Sequence, residues 1–228
     1  MCNRYENRGS ANEIRRLAST LGRDLSTTPA TDNLAPADNI YPDQDAGVVR
    51  NRGDGGLELI MARWGLPPIP GQSVPITKIR NLKSNWWRHT NRNLMTDPGH
   101  RCLVPFTAFA EPVRDSTWFV VPGVEVAYFA GVWQEWRGPR LAEQPGKKRR
   151  EREDRDWTLF AFLTTEANEV VRPAHDKASP VILVDPAEQT EWLAGGVQSF
   201  RLQRPLQNEQ LSVRGVRKTE PPSYINSL

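Results

Sequence analysis

The chain is poor in cysteine and lacks long apolar runs, and each shortage excludes a class of protein. Cys2 and Cys102 are the only cysteines in 228 residues, too few for a disulfide framework, so we expect a reducing, cytoplasmic setting. The opening MCNRYENRGS has no apolar core of a secretory signal. Nowhere do about 18 uncharged apolar residues follow one another, as a membrane-spanning helix requires. We therefore expect a soluble protein with no membrane partner.

The sequence also lacks the short motifs of common enzyme classes. It contains no GxGxxG, no phosphate-binding GxxxxGK[ST], no HExxH and no GxSxG. Its three histidines (His89, His100 and His175) and two cysteines do not have the spacing of metal ligands. We therefore predict neither a bound metal nor a cofactor.

The composition indicates a folded, slightly basic protein. Hydrophobic residues make up 38% of the chain, with eight Trp and seven Phe, enough apolar surface for a packed core. The length favours one domain over residues 1–228, and we expect a monomer. The net charge of +3 is compatible with a nucleic-acid partner.

Local patterns predict two helices in a chain that is otherwise rich in strands. Ser10 and Glu13 have capping-box spacing ahead of an apolar face, and Asp185-Pro186 begins a second helix that Gly195 ends. Residues 26–45 are rich in Pro, Thr, Asp and Asn, which is typical of a loop. After Arg101, short aromatic and β-branched runs alternate with turn residues. We predict an α+β fold with a mainly antiparallel, curved or barrel-like β-sheet core and peripheral helices.

Two further segments are assigned by composition. Residues 138–156, which contain the KKRR run and then alternating acidic and basic residues, are predicted to form a charged surface loop. The alternative for this segment is an arm that contacts phosphates. Residues from about 205 to 228 are predicted to be a C-terminal extension.

The second residue has a distinctive chemistry if the initiator methionine is removed. Cys2 then carries a free α-amine two carbons from its thiol, and the two groups have ordinary pKa values of about 7.7–8.0 and about 8.5. The amine can condense with an aldehyde, and the thiolate can close the imine into a five-membered thiazolidine. The ring-opened sugar of an abasic DNA site is such an aldehyde. A cysteine at position 2 is weak support for this chemistry when taken alone.

Ordered motifs along most of the chain resemble the SRAP family, the SOS-response-associated peptidases also called abasic-site-processing proteins. The resemblance is carried in chain order by MCNRY, DNIYPDQ, MARWGLP, ITKIRN, RCLVPFTAFAE, YFAGVWQEW, FAFLTTEAN and RPAHDKASPVIL. It implies the SRAP fold and a response to DNA damage. It also implies a covalent link between the N-terminal cysteine and an abasic site in single-stranded DNA.

The same resemblance implies the site residues. Cys2 would be the nucleophile, Glu111 a catalytic acid and His175 a catalytic histidine. DNA contacts are implied for a second set of residues, namely Arg4, Trp64 and Arg80. Trp64 and the arginines also have ordinary explanations, as a core side chain and as surface charges.

The chain departs from the family pattern at three places. Lys78 stands where the family has an active-site asparagine, which puts the rate or reversibility of linkage in doubt; a lysine could supply a phosphate contact or a competing amine. Pro112 stands where tryptophan is usual, and Ala178-Ser179-Pro180 replaces a Met-Pro ending.

Two other functions remain open at this stage. One is a thiol peptidase in which Cys2 is the nucleophile, His175 the base and Glu111 an orienting group; its mildest form is self-removal of Met1. The other is a non-enzymatic module that binds single-stranded nucleic acid through Trp and Arg side chains.

Overall fold

A computed structural model of the chain describes residues 3–111, 116–142 and 150–217. The strands of these ranges are β1 (Tyr5–Asn7), β2 (Leu25–Thr27), β3 (Ala37–Ile40), β4 (Asp45–Asn51), β5 (Leu57–Trp64), β6 (Lys78–Ile79), β7 (Arg101–Phe106), β8 (Ala108–Glu111), β9 (Ser116–Val120), β10 (Ala127–Ala142), β11 (Glu151–Thr165), β12 (Ser179–Pro180), β13 (Ile182–Leu183) and β14 (Ser212–Arg217). The α-helices are α1 (Ala11–Thr20), α2 (Arg92–Thr96) and α3 (Pro186–Ala194). A π-helical turn spans Trp86–Thr90, and 3-10 turns span Pro98–His100, Val197–Leu202 and Asn208–Gln210.

Five strands close into a barrel. The order is β11-β10-β7-β4-β5, and four of the pairings are antiparallel. The ring closes where β5 meets β11 in parallel, with Arg63 opposite Leu159 and Trp64 opposite Phe160. Closure leaves no unpaired edge along this part of the sheet. The predicted α+β fold with a barrel-like, mainly antiparallel core is therefore confirmed.

A second, antiparallel sheet has the order β14-β9-β8-β1-β3. It packs on the barrel through aromatic rings. Tyr5 of β1 meets Trp64 edge-on with centroids 5.3 Å apart, and Phe109 of β8 meets Phe129 of β10 at 6.1 Å. These rings belong to one buried cluster, which joins the two layers and fixes β1 and β8 against the barrel.

Both predicted helices form where their caps place them. Ser10 accepts a hydrogen bond from the Glu13 backbone N–H while Glu13 bonds back to Ser10, so α1 begins with a complete capping box. Asp185 caps α3, and Gly195 ends it with a φ of 73°, a backbone conformation that glycine adopts without strain.

Three segment predictions are wrong in part. Within 138–156, residues up to Ala142 continue β10 and residues from Glu151 begin β11, in register pairs that run to Ala142 opposite Glu151. The charges of β11 there are mostly exposed, so the sequence shows no apolar alternation that would reveal the strand. Residues 143–149 lie outside the described residues, as does most of the KKRR run. The predicted loop at 26–45 contains β3 and parts of β2 and β4.

The predicted C-terminal extension is also corrected for its described part. Leu206 and Leu211 are buried in the core cluster that joins the two layers, and β14 pairs with β9. Residues 205–217 are therefore part of the folded structure, while 218–228 lie outside the described residues.

One carboxylate ties the long β10–β11 hairpin to the rest of the barrel. Asp43 accepts hydrogen bonds from Arg63 on β5 at 2.8 Å, from Arg140 on β10 at 2.6 Å, and from Arg150 just before β11. Asp43 has a φ of 68°, a left-handed conformation that Asp and Asn tolerate better than most residues. The side chains of Asp43, Arg63 and Arg140 are at most 10% exposed, so this network is shielded from water.

We expect Asp43→Asn to lower the free energy of unfolding by about 3–5 kcal/mol, because it leaves buried arginines without their anion while keeping a residue that tolerates the backbone. Urea unfolding at neutral pH measures the change. Asp54→Asn is the matched control, because Asp54 pairs with Arg52 on the surface. Equal unfolding midpoints for the two variants would contradict the role of the network.

Candidate active site

The register of β1 brings the start of the chain beside Glu111. Tyr5 lies opposite Phe109 and Glu6 opposite Ala108, and the Ala110 backbone N–H donates to the Arg4 carbonyl at 3.0 Å. Continuing this antiparallel register places Asn3 level with Glu111 at the end of β8. Cys2, the predicted nucleophile, lies outside the described residues. The described part of the chain begins at the following residue, Asn3.

Glu111 is a buried carboxyl with an unusual pKa. The residue is 0% exposed, and burial raises its pKa from an ordinary 4.5 to about 7, while the positive charge of Lys78 opposes the rise. Both protonation forms are therefore populated near neutral pH. A carboxyl in this condition can donate or accept a proton during a reaction.

Lys78 connects Asn3 to strand β6, which pairs with β11. Its Nζ donates a hydrogen bond to Asn3 Oδ1. The backbone of β6 is held in parallel register on β11, with Lys78 opposite Phe162. Side chains from elsewhere bind the neighbouring carbonyls: Trp64 Nε1 donates to Thr77 at 2.9 Å, and Gln203 Nε2 donates to Arg80 at 2.8 Å. The lysine thus extends from a fixed backbone.

His175 lies on the loop from β11 to β12, so it is attached to the same end of β11 as Lys78. Its backbone N–H donates to the Val171 carbonyl at 2.9 Å, and its Nδ1 accepts from the Ala178 N–H at 3.1 Å. The neutral ring therefore carries its proton on Nε2. Burial lowers the pKa of His175 below its ordinary value, which favours this neutral form.

Asn168 organises this loop, a role that the sequence did not reveal. Its Oδ1 accepts from the Val171 N–H at 3.0 Å, and its Nδ2 donates to the Leu206 carbonyl at 2.9 Å. The asparagine stands at the end of the FAFLTTEAN motif, and that position was the only signal of its importance. It fixes the turn from which His175 projects.

The sequence predicted DNA contacts for Arg4, Trp64 and Arg80 and offered Lys78 as a phosphate contact; two of these four are corrected. Trp64 is 0% exposed, packs on Tyr5 and Phe162, and has no free face for a base. Arg4 is 1% exposed; its Nε donates to Asn39 Oδ1 at 2.7 Å, and its guanidinium lies 4.5 Å from the Trp118 ring. Both side chains are therefore buried packing residues. Arg80 is exposed, as a phosphate contact requires.

Within residues 3–111, 116–142 and 150–217, no three His, Cys, Asp or Glu side chains group as metal ligands. In the same ranges no helix has the length and apolar character needed to cross a bilayer.

A family model described as SOS response associated peptidase (SRAP) matches residues 1–219, nearly the whole chain. The chain belongs to the SRAP family. The SRAP match agrees with the motifs from MCNRY to the PAHDK loop. No curated protein matches the chain.

Solved structures share this SRAP fold at low sequence identity. A protein from Bordetella bronchiseptica has a TM-score of 0.68 at 18% identity, covering 96% of this chain and 100% of its own. A protein from Bacteroides thetaiotaomicron has 0.67 at 17%, covering 99% and 94%. A phage-related protein from Bordetella bronchiseptica has 0.63 at 21%, covering 95% of each chain. At these identities the likeness concerns the fold.

The pKa of Glu111 predicts a pH-dependent stability. The folded protein keeps the Glu111 proton up to about pH 7, whereas the unfolded chain loses it near pH 4.5. The contribution of protonated Glu111 to the free energy of unfolding is therefore fully present below pH 4.5. It is lost as the pH rises to about 7, and the loss is of order 3 kcal/mol. We expect Glu111→Gln to remove that loss. Urea unfolding of both proteins between pH 4.5 and 8 measures it, and parallel stability curves would contradict the buried proton.

Proposed function

We propose that this SRAP protein binds single-stranded DNA and joins its Cys2, after Met1 removal, to the ring-opened sugar of an abasic site as a thiazolidine. The observation that carries the proposal is the placement of Asn3. The residue next to Cys2 is held by Lys78, level with a buried carboxyl whose pKa is about 7. An N-terminal amine and thiol attached there would work beside an acid–base group.

The chemistry assigns a task to each group. The α-amine of Cys2 attacks the C1′ aldehyde, and the resulting carbinolamine loses water to give an imine. The thiolate then adds to the imine carbon and closes the ring. Opening the sugar and expelling water both require proton transfer, which Glu111 and the Nε2–H of His175 are suited to provide. No external oxidant or cofactor enters this balance.

The surface beyond Lys78 favours a nucleic-acid strand. Exposed cations follow along the chain at Arg80, Lys83 and Arg88. These side chains can neutralise phosphates without reading sequence, as binding to a damaged single strand requires. A single strand also lets the abasic sugar reach the end of the protein chain.

A thiol peptidase is the second candidate, because the family description names peptidases. Cys2 would attack a peptide carbonyl, and His175 would take the thiol proton. The neutral ring could take that proton only at Nδ1, which would first have to release the Ala178 N–H, so the hydrogen bonding favours the linkage reaction over this role. Linkage and peptide cleavage give different products, so one incubation separates them.

We expect Cys2→Ala to abolish the denaturant-stable adduct with an abasic single-stranded oligonucleotide, because no thiol remains to close the ring. Intact mass and denaturing gels measure the adduct. Cys102→Ala is the matched control, because Cys102 is buried in the core and burial raises the pKa of its thiol, which keeps it unreactive. A stable adduct in Cys2→Ala would refute the thiazolidine. Peptide cleavage without any adduct would favour the peptidase, and salt-sensitive binding alone a non-enzymatic module.

We expect Glu111→Gln and His175→Ala to form the same adduct more slowly, by about 10²–10⁴-fold, because a positioned acid or base is lost while Cys2 keeps its chemistry. Single-turnover time courses between pH 5 and 8 measure the rates. Glu166→Gln is the control for His175, because Glu166 is an exposed residue of the same loop. Wild-type rates in both active-site variants would mean that Cys2 works without their help.

A further inference from the structure

We propose that Lys78 is a second aldehyde-reactive amine of this site, which forms an imine with the ring-opened abasic sugar and passes that carbon to Cys2. The inference rests on the proposed function for its substrate. It concerns a residue at which this chain departs from its family.

The position of the amine is the first support. Lys78 Nζ donates a hydrogen bond to Asn3 Oδ1, so the ammonium lies against the residue that follows Cys2. One peptide unit separates the Cα atoms of adjacent residues by about 3.8 Å. An aldehyde joined to the Cys2 amine is therefore attached to the residue that directly precedes the partner of Nζ in the chain.

The rigidity of the lysine backbone is the second support. β6 is only two residues long, yet β11 holds it by register and Trp64 and Gln203 donate hydrogen bonds to the carbonyls of Thr77 and Arg80. An imine-forming lysine has to be brought to its aldehyde repeatedly in one geometry. A fixed backbone with a half-buried side chain provides this, whereas an exposed lysine such as Lys83 does not.

Glu111 supplies the proton transfer that an amine nucleophile needs. Lys78 must lose a proton before it can attack, and its positive charge is one of the influences that lower the pKa of Glu111 against the effect of burial. Because burial raises the pKa of Glu111, its carboxylate is a stronger base than an ordinary one. The protonated carboxyl can then return that proton to the departing hydroxyl. Lysine amines are the usual imine-forming nucleophiles of enzymes once they have lost their proton.

The steps balance without any further reagent. The neutral Nζ adds to C1′, the carbonyl oxygen leaves as water, and a C1′=Nζ imine remains. The α-amine of Cys2 then adds to the same carbon, the C1′–Nζ bond breaks, and Lys78 is released as a free amine. The Cys2 thiolate closes the ring on the new imine. Asparagine, the family residue here, could keep a hydrogen bond to Asn3 but cannot form an imine.

Borohydride trapping tests the proposal, because reduction converts an imine into a permanent secondary amine. Cys2→Ala protein is incubated with an abasic single-stranded oligonucleotide and sodium cyanoborohydride, and peptide mapping by mass spectrometry locates the adduct. We expect modification at Lys78. Lys78→Arg in the same background, which keeps the charge and a donor toward Asn3, should lower the total adduct at least threefold and leave only the N-terminal amine modified. Lys177→Arg in that background changes an exposed lysine outside the cations of the surface beyond Lys78 and should leave the adduct unchanged.

A second measurement separates covalent relay from positioning. In protein with Cys2 intact and no borohydride, Lys78→Arg should slow thiazolidine formation by about tenfold or more, the scale of one lost catalytic step. Trapped adduct that maps only to the N-terminal peptide, or wild-type linkage rates in Lys78→Arg, would overturn the proposal. Failure of the proposed function is recognised separately, because wild-type protein would then give no denaturant-stable adduct without borohydride.

Discussion

The short strand β1 is the constraint on which the site depends. It has three residues, and its register between β3 and β8 decides what lies beside the start of the chain. Side chains hold that register from both sheet neighbours and from the far end of the sequence. Arg214 of β14 donates two hydrogen bonds to the Glu6 carboxylate, at 2.7 and 2.9 Å. Although burial opposes it, these hydrogen bonds from Arg214 hold the pKa of Glu6 below its ordinary value. A slip of β1 by one residue would turn Tyr5 out of the aromatic cluster.

Closure of the barrel connects this strand to the rest of the chemistry. The parallel pairing of β5 with β11 brings Trp64 next to β11, and its indole holds the carbonyl just before Lys78. The same strand β11 leads into the loop of His175. The barrel strand β11 thus holds two of the groups, because β6 with Lys78 pairs with it and the loop of His175 follows it. The N-terminal segment joins them through the hydrogen bond from Lys78 to Asn3. The burial of Glu111 at the end of β8 lowers the stability of the fold at neutral pH. Functional sites of proteins commonly carry such a loss of stability.

Local signals in the sequence predicted much of the fold and little of this assembly. The capping box at Ser10 and the Asp185 cap act within one turn of chain, so composition and spacing revealed both helices. The charged end of β11 forms a strand because β10 pairs with it. Its own residues have no pattern from which that pairing could be predicted. Family resemblance named Glu111 and His175, but it also placed Trp64 and Arg4 on the DNA. Burial, which a sequence motif does not state, makes them supports instead.

The role of Lys78 follows from what a change of one side chain does to a fixed environment. An asparagine at this place offers a neutral amide, whereas the lysine adds a positive charge that opposes the raised pKa of Glu111. That charge favours the carboxylate, so a larger fraction of Glu111 is deprotonated at a given pH, although each carboxylate is a weaker base than burial alone would make it. The same lysine needs an acceptor for its own proton before it can react. Lysine and carboxyl therefore depend on each other, and replacing either one changes the proton balance of the other. Lys78→Arg keeps the positive charge and the hydrogen-bond donor of the site. It removes the amine that would lose its proton and form an imine with the sugar carbon.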